Sequence, residues 1–307
     1  MDGRELWRFT LVGSAGSDPR ESDMREALVR AFGRDDVPFD ILRLVPWRRS
    51  QCHADRYREG RVFLAGDAAH TTSPTGGHGL NTGLGDVSGL GWMLDAALRG
   101  WGGDTLLDAY GAERRPVAIR NCGSSTRNFG NWLGAGDAGR VLDDTPEGAQ
   151  TRARIGAQMS ASLTEEWHSL GIGLGYRYEG SPVIVADGTP ATPDEVSVYV
   201  PTARPGHRAP HAFLPDGRST LDLFGHGFVL LDFGAAPPDV ARFTQAAAST
   251  ATPLEVVPIA DPAIALLYER RLVLVRPDGH VAWRSDTADR EPGNILDIVC
   301  GRQGAIA

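Results

Sequence analysis

Apolar residues recur along this chain in two rhythms, and the passage from one to the other divides it. Met24, Leu28, Val29 and Phe32 fall at helical spacing over 21–32. Leu84, Val87, Leu90, Leu94 and Leu98 do the same over 80–98 and predict a long helix with those residues as its apolar face, closed by Arg99 and Gly100. A third helical pattern, LLDAYGAERRPVAIRN over 106–121, contains Pro116, which is expected to kink or restart it. Strand-like stretches lie at 6–12, at 39–45 and in the short apolar run 61–65, while 123–167 reads as helices joined by loops.

The second rhythm begins near Val183. Pro182, Pro190, Pro193, Pro201, Pro205, Pro210 and Pro215 punctuate an irregular stretch. Beyond it the pattern predicts a strand at 228–233, a helix at 238–249, strands at 254–258 and 271–276, a turn at 277–279, a strand at 280–284 and a helix at 295–300. The expected fold class is mixed α/β, with one domain over 1–182 and a second over 183–307.

Composition narrows the function. A length of 307 residues favours two domains, and 41% hydrophobic with 23% charged residues is the balance of a folded globular protein. The net charge of −8 gives no broad basic face, so nucleic acid is not an expected partner. Cys52, Cys122 and Cys300 have neither disulfide-framework nor metal-ligand spacing, and no metal is expected. No apolar run approaches the ~18 residues of a membrane span, and the chain reads as cytoplasmic with no membrane partner.

The chemistry concentrates in GRVFLAGDAAHTTSPTGGHGLNTGLGD, residues 60–86. A strand delivers Gly66 and Asp67 to a sheet's carboxyl edge, where a carboxylate can accept hydrogen bonds from sugar or ribityl hydroxyls. Pro74 turns the chain, Gly76, Gly77 and Gly79 let backbone approach a flat ligand, and Leu80 and Asn81 open a helix whose free N–H groups favour an electron-rich ring edge. Bland readings stand beside these. His70 reads as a structural donor, Asp86 as helix surface, and Glu113, Arg114 and Arg115 as a solvated face or an intramolecular ion pair. Arg48, Arg49, Arg56 and Arg58 could meet a cofactor phosphate or lie on the surface; Phe129, Trp132 and Trp167 read as packing before a substrate cavity, and Cys52 as a buried or inert thiol.

The run Gly66, Asp67, Ala68, Ala69, His70, then Pro74, Gly79, Leu80 and Asn81, resembles the second FAD motif of the FAD-dependent aromatic hydroxylases, the flavoprotein monooxygenases typified by para-hydroxybenzoate hydroxylase and phenol hydroxylase. LLDAYGAERRPVA and LVRPDGHVAWR continue the resemblance, and the tail is similar to the branch with a thioredoxin-like C-terminal domain. By the resemblance Asp67 would bind the ribityl chain, the Leu80 and Asn81 amides would face the pyrimidine edge of the isoalloxazine, and Pro74 would line the flavin and substrate side. The implied cofactor is FAD, with NAD(P)H as co-substrate, dioxygen as oxidant and a phenolic or polyketide-type aromatic as substrate; no catalytic nucleophile, metal or acid/base pair is implied.

The family's N-terminal GxGxxG and its middle Asp-Gly motif are absent, and the tail has no CxxC. The expectation is therefore an incomplete enzyme, partnered by a missing N-terminal half or by a second copy. The alternative is a non-catalytic remnant or accessory subunit of a split hydroxylase.

Overall fold

The computed structural model describes residues 4–11, 20–133 and 137–302. It divides into two compact units, Met1–Ser50 and Gln51–Ala307. In the first, helix α1 (Glu21–Phe32) starts where the Arg20 N–H donates to the Asp23 carboxylate at 3.1 Å and stops at Gly33, whose φ of 68° is a left-handed helix end. Phe32 meets Phe39 edge-on at 5.7 Å. The strands expected at 6–12 and 39–45 do not form among the described residues; Val12 lies outside them. A β-pattern becomes a strand only beside a partner ladder, and the described residues of this unit supply none.

The second unit opens with two-residue strands. β1 (Cys52–His53) pairs antiparallel with β4 (His70–Thr71), and β2 (Arg58–Glu59) pairs with β3 (Val62–Phe63), so the expected strand 61–65 is reduced to its middle. Cys52 is exposed, so of the two expected alternatives, a buried or an inert thiol, the first does not hold.

Helix α2 (His78–Leu98) packs against α3 (Asp104–Leu133), the two joined by a short turn at Trp101. Its buried residues are His78, Thr82, Asp86, Gly89, Trp92, Met93 and Ala96, not the expected apolar face: Leu84, Val87 and Leu98 are exposed. α3 runs through Pro116 without restarting. Its buried stripe Leu106, Ala109, Tyr110, Glu113, Arg114, Val117, Ala118 and Asn121 continues at helical spacing on both sides of the proline, and that packing outweighs one lost backbone bond. Helices α4 (Pro146–Ser162), α5 (Thr164–Trp167) and α6 (Leu170–Leu174) follow, as expected for 123–167 in type.

The tail holds β5 (Phe228–Asp232), α7 (Pro237–Ser249), β6 (Leu254–Pro258), α8 (Pro262–Tyr268), β7 (Leu272–Val275), β8 (Val281–Ser285) and α9 (Pro292–Val299). Its sheet has the order β6-β5-β7-β8, with β5 parallel to β6 and antiparallel to β7, and β7 antiparallel to β8. Both faces are buried, which is why FVLL and LVLV read as continuous apolar runs. Phe228, Leu230, Leu272 and Leu274 face α7 and α9, and Val229, Leu231, Val273 and Val275 pack with Ile264 and Tyr268. The first of these cores also takes in Trp92, Met93, Trp101 and Tyr110: the Trp92 and Trp101 rings stack 6.2 Å apart and both meet Phe228 edge-on. The mixed α/β class is as expected.

Candidate functional site

Gly66–Ala68 form a single 3₁₀ turn after the extended Ala65, closed by the Ala69 N–H donating to the Gly66 carbonyl at 2.9 Å. Gly66 sits at φ 58°, which a side-chain-bearing residue rarely adopts. Asp67 points its exposed carboxylate away from the core and has no hydrogen-bond or ion-pair partner among the described residues. The turn packs against α2 so closely that a Cβ on Gly83 would lie 3.1 Å from the Gly66 Cα.

The loop from Ser73 to Gly77 leads into α2. The Gly77 N–H donates to the Pro74 carbonyl at 3.1 Å, Thr75 Oγ1 donates to the Ser125 carbonyl at 2.6 Å, and the Gly76 N–H donates to Glu166 Oε1 at 3.2 Å, so Pro74 is held exposed on an anchored turn. Gly77, at φ 67°, is the N-cap of α2, and no side chain caps the helix. Its first-turn N–H groups, at His78, Gly79 and Leu80, therefore lack the intrahelical partners that later residues have. Leu80 and Asn81 are exposed, and Asn81 Nδ2 donates to the Gly77 carbonyl at 2.9 Å. Two of the glycines clear neighbours inside the protein: a Cβ at Gly76 would lie 2.7 Å from His78 Nε2, and one at Gly79 3.0 Å from Thr72 Cγ2. Beneath this turn the side-chain polar atoms of Ser124, Ser125 and Asn128 and His78 Nε2 are buried without a hydrogen-bond partner among the described residues.

The residues read as bystanders form the frame of the site. Asp86, expected on the surface, is completely buried: it accepts from the Gly66 N–H at 3.1 Å, His70 Nε2 at 2.8 Å and Arg114 Nε at 2.9 Å. Burial alone would raise its carboxyl, but the His70 bond and the Arg114 charge outweigh it and hold the group below the usual carboxylate range. His70 is thus the structural donor expected. Glu113 and Arg114 are ion-paired and buried, not solvated. Glu113 accepts both Arg276 Nη atoms at 2.5 and 2.8 Å and Ser181 Oγ at 2.6 Å, while Arg276 also bonds Asp278 and lies over the Trp92 ring at 5.0 Å. Arg56 pairs with Glu59, and Arg58 with Asp108. Trp132 and Trp167 are exposed, with Trp132 Nε1 donating to Glu166 at 2.6 Å.

The candidate site thus joins, in an α/β protein, a glycine-rich loop, an uncapped helix start and the exposed carboxylate of Asp67. Residues 7–124 match the FAD binding domain family, and residues 202–302 match the family of the C-terminal domain of aromatic-ring hydroxylases. The chain is thus similar in two separate stretches to FAD-dependent polyketide and aromatic hydroxylases. It is 39% identical over 316 residues to the tetracenomycin B2 monooxygenase-dioxygenase of Streptomyces olivaceus, covering 98% of this chain and 54% of that protein. It is 36% identical to a polyketide hydroxylase, so named only provisionally, of Streptomyces halstedii, covering 93% of this chain and 52% of that one. The rebeccamycin biosynthetic enzyme RebC with reduced flavin superposes with a TM-score of 0.82 at 44% identity, over 91% of this chain and 52% of RebC. The chain spans about half the length of the curated relatives it matches. Among the described residues no helix is long and apolar enough to cross a membrane.

Proposed function

We propose that this chain supplies the part of a flavin monooxygenase that receives the isoalloxazine and ribityl chain of FAD, and that the whole enzyme uses NAD(P)H and dioxygen to hydroxylate a phenolic or polyketide-type aromatic substrate. The observation that carries the reading is the exposed, unpartnered Asp67 on a turn fastened beside a helix start that no side chain caps. In this reading Asp67 accepts hydrogen bonds from ribityl hydroxyls, and the helix start at Leu80 and Asn81, with the free Leu80 N–H, faces the pyrimidine edge. Pro74 lines the ring and substrate side, and Gly66, Gly77 and Gly79 shape the two turns. When bound, FAD supplies the redox and oxygen-transfer chemistry. The chain's own residues orient the ring, set N–H donors and the positive helix end where negative charge gathers, and exclude water. The names of the Streptomyces relatives support the substrate class.

We read 1–182 as the cofactor and substrate portion and 183–307 as a thioredoxin-like domain without redox work. Cys300 is the single thiol of that segment, buried, with burial pushing it up to about 11. Disulfide exchange needs a thiolate and a resolving partner.

The test is Asp67→Ala in an enzyme containing this chain, with FAD titrated by fluorescence quenching. Loss of one charged acceptor is expected to weaken binding by about 1.5–3 kcal/mol. Equal affinity in variant and parent would remove Asp67 from the site.

A further inference from the structure

We propose that Asp86 is the positioning residue of the cofactor loop: one buried carboxylate on α2 sets where the Gly66–Asp67 turn stands relative to the helix start at Gly79–Asn81. The inference rests on the reading of those residues as the FAD site, and it goes beyond that reading by assigning the residue that spaces its two halves.

The chain between the turn and the helix, residues 69–77, holds only the two-residue strand β4 and a loop, too little regular structure to fix their separation by itself. Asp86 does so from one side chain. Its Oδ2 accepts from the Gly66 N–H and from His70 Nε2, which clamps the front and the back of the turn that carries Asp67. Its Oδ1 accepts from Arg114 Nε, and Arg114 Nη2 in turn donates to the Thr82 carbonyl in the opening turns of α2 at 3.1 Å. Thr82 Oγ1 donates to the His78 carbonyl at 2.7 Å and receives Asn121 Nδ2 at 2.8 Å, so the first turn of the helix is tied to the same bracket. Turn, helix start and α3 therefore converge on one acceptor. Because Asp86 faces ionised, His70 Nε2 is the donating nitrogen of its ring.

The glycines of the motif fit this role. A Cβ on Gly85 would lie 2.6 Å from Arg114 Nη2, and one on Gly83 would crowd Gly66. Glycine at these two positions lets the guanidinium and the turn reach Asp86 from both sides. Asparagine is nearly isosteric with aspartate, yet its amide would turn a donor toward one of three donors, so Asp86→Asn breaks the bracket without changing its volume.

The experiment uses the chain and three variants, Asp86→Asn, His70→Leu and His70→Gln, with amide hydrogen exchange resolved at 62–72 and FAD titrated in parallel on an enzyme containing each. In Asp86→Asn, exchange of the Gly66 amide is expected to accelerate about tenfold or more while β5 and β7 keep their protection, and FAD affinity to fall about tenfold. His70→Leu should accelerate exchange in the same segment, and His70→Gln, which restores a donor at similar reach, should return it toward the parent. Unchanged exchange at Gly66 in a folded Asp86→Asn overturns the proposal. Should Asp86→Asn not fold, the histidine pair decides: equal exchange in His70→Leu and His70→Gln overturns it. A parent that binds no FAD counts against the proposed function, and the exchange data then judge the bracket by themselves.

Discussion

His207 is 4% exposed and receives an Arg204 N–H on its Nε2 at 3.3 Å, a contact that only a neutral ring can accept. Burial first, and then the charges of Arg177 and Arg204, push the ring down to about 4. The unfolded chain takes up this proton near the ordinary value of 6.5, the folded chain only near 4. The stabilisation is therefore complete above 6.5 and drains away as pH falls toward 4, by roughly 3 kcal/mol in total. Urea midpoints at pH 7 and pH 4.5 should show this slope, and His207→Gln should flatten it; an unchanged slope would mean another group is responsible. His78, also lowered by burial, acts in the same direction, whereas Asp86 loses its stabilising effect only below the carboxylate range. At this scale the exposed half of the site was legible because Gly66 to Asn81 is contiguous and its glycines and proline carry local backbone meaning. Asp86 was misread because the leucines of α2 were assigned to the core face. Asp86, which pairs with Arg114, and Glu113, which pairs with Arg276, lie 28 and 163 residues from them, and nothing in a single sequence points to these pairings.

Between elements, the buried joint is Glu113 on α3 with Arg276 and Asp278 at the β7–β8 turn. Removing the cation leaves two uncompensated carboxylates, so Arg276→Ala is expected to cost about 3–5 kcal/mol. Thermal melts followed by circular dichroism would register this as a drop of many degrees, and an unshifted melt would mean the joint contributes nothing. The tail's strands and their boundaries were readable because each is an apolar run closed by turn residues. α8 was overlooked although Asp261 caps it through the Ala263 and Ile264 N–H groups and Pro262 begins it, a start signal present in the sequence. The strands expected within 1–50 failed for the opposite reason: their pattern describes one side of a pairing, and pairing is a property of two segments.

Across the whole molecule, α2 presents Leu80, Leu84 and Val87 to solvent at 76%, 59% and 60% exposure, spaced as one stripe that continues from the cofactor loop. An uncovered apolar stripe of this kind drives association. The chain 1–307 is expected to associate with rising concentration, and Leu84→Lys with Val87→Lys to suppress it; sedimentation velocity showing the parent monomeric throughout would refute this. The stacked Trp92 and Trp101 against Phe228 carry a different consequence. Helices that face the cofactor loop and the sheet of the tail share one interior, so the two family-matched segments are not interchangeable parts. A recombination crossover placed between α3 and β5 would bring a foreign tail against Trp92, Trp101 and Glu113. Only a donor that also carries counterparts of Phe228 and Arg276 would restore the interior, which makes the helix pair part of the unit that must be inherited with the tail.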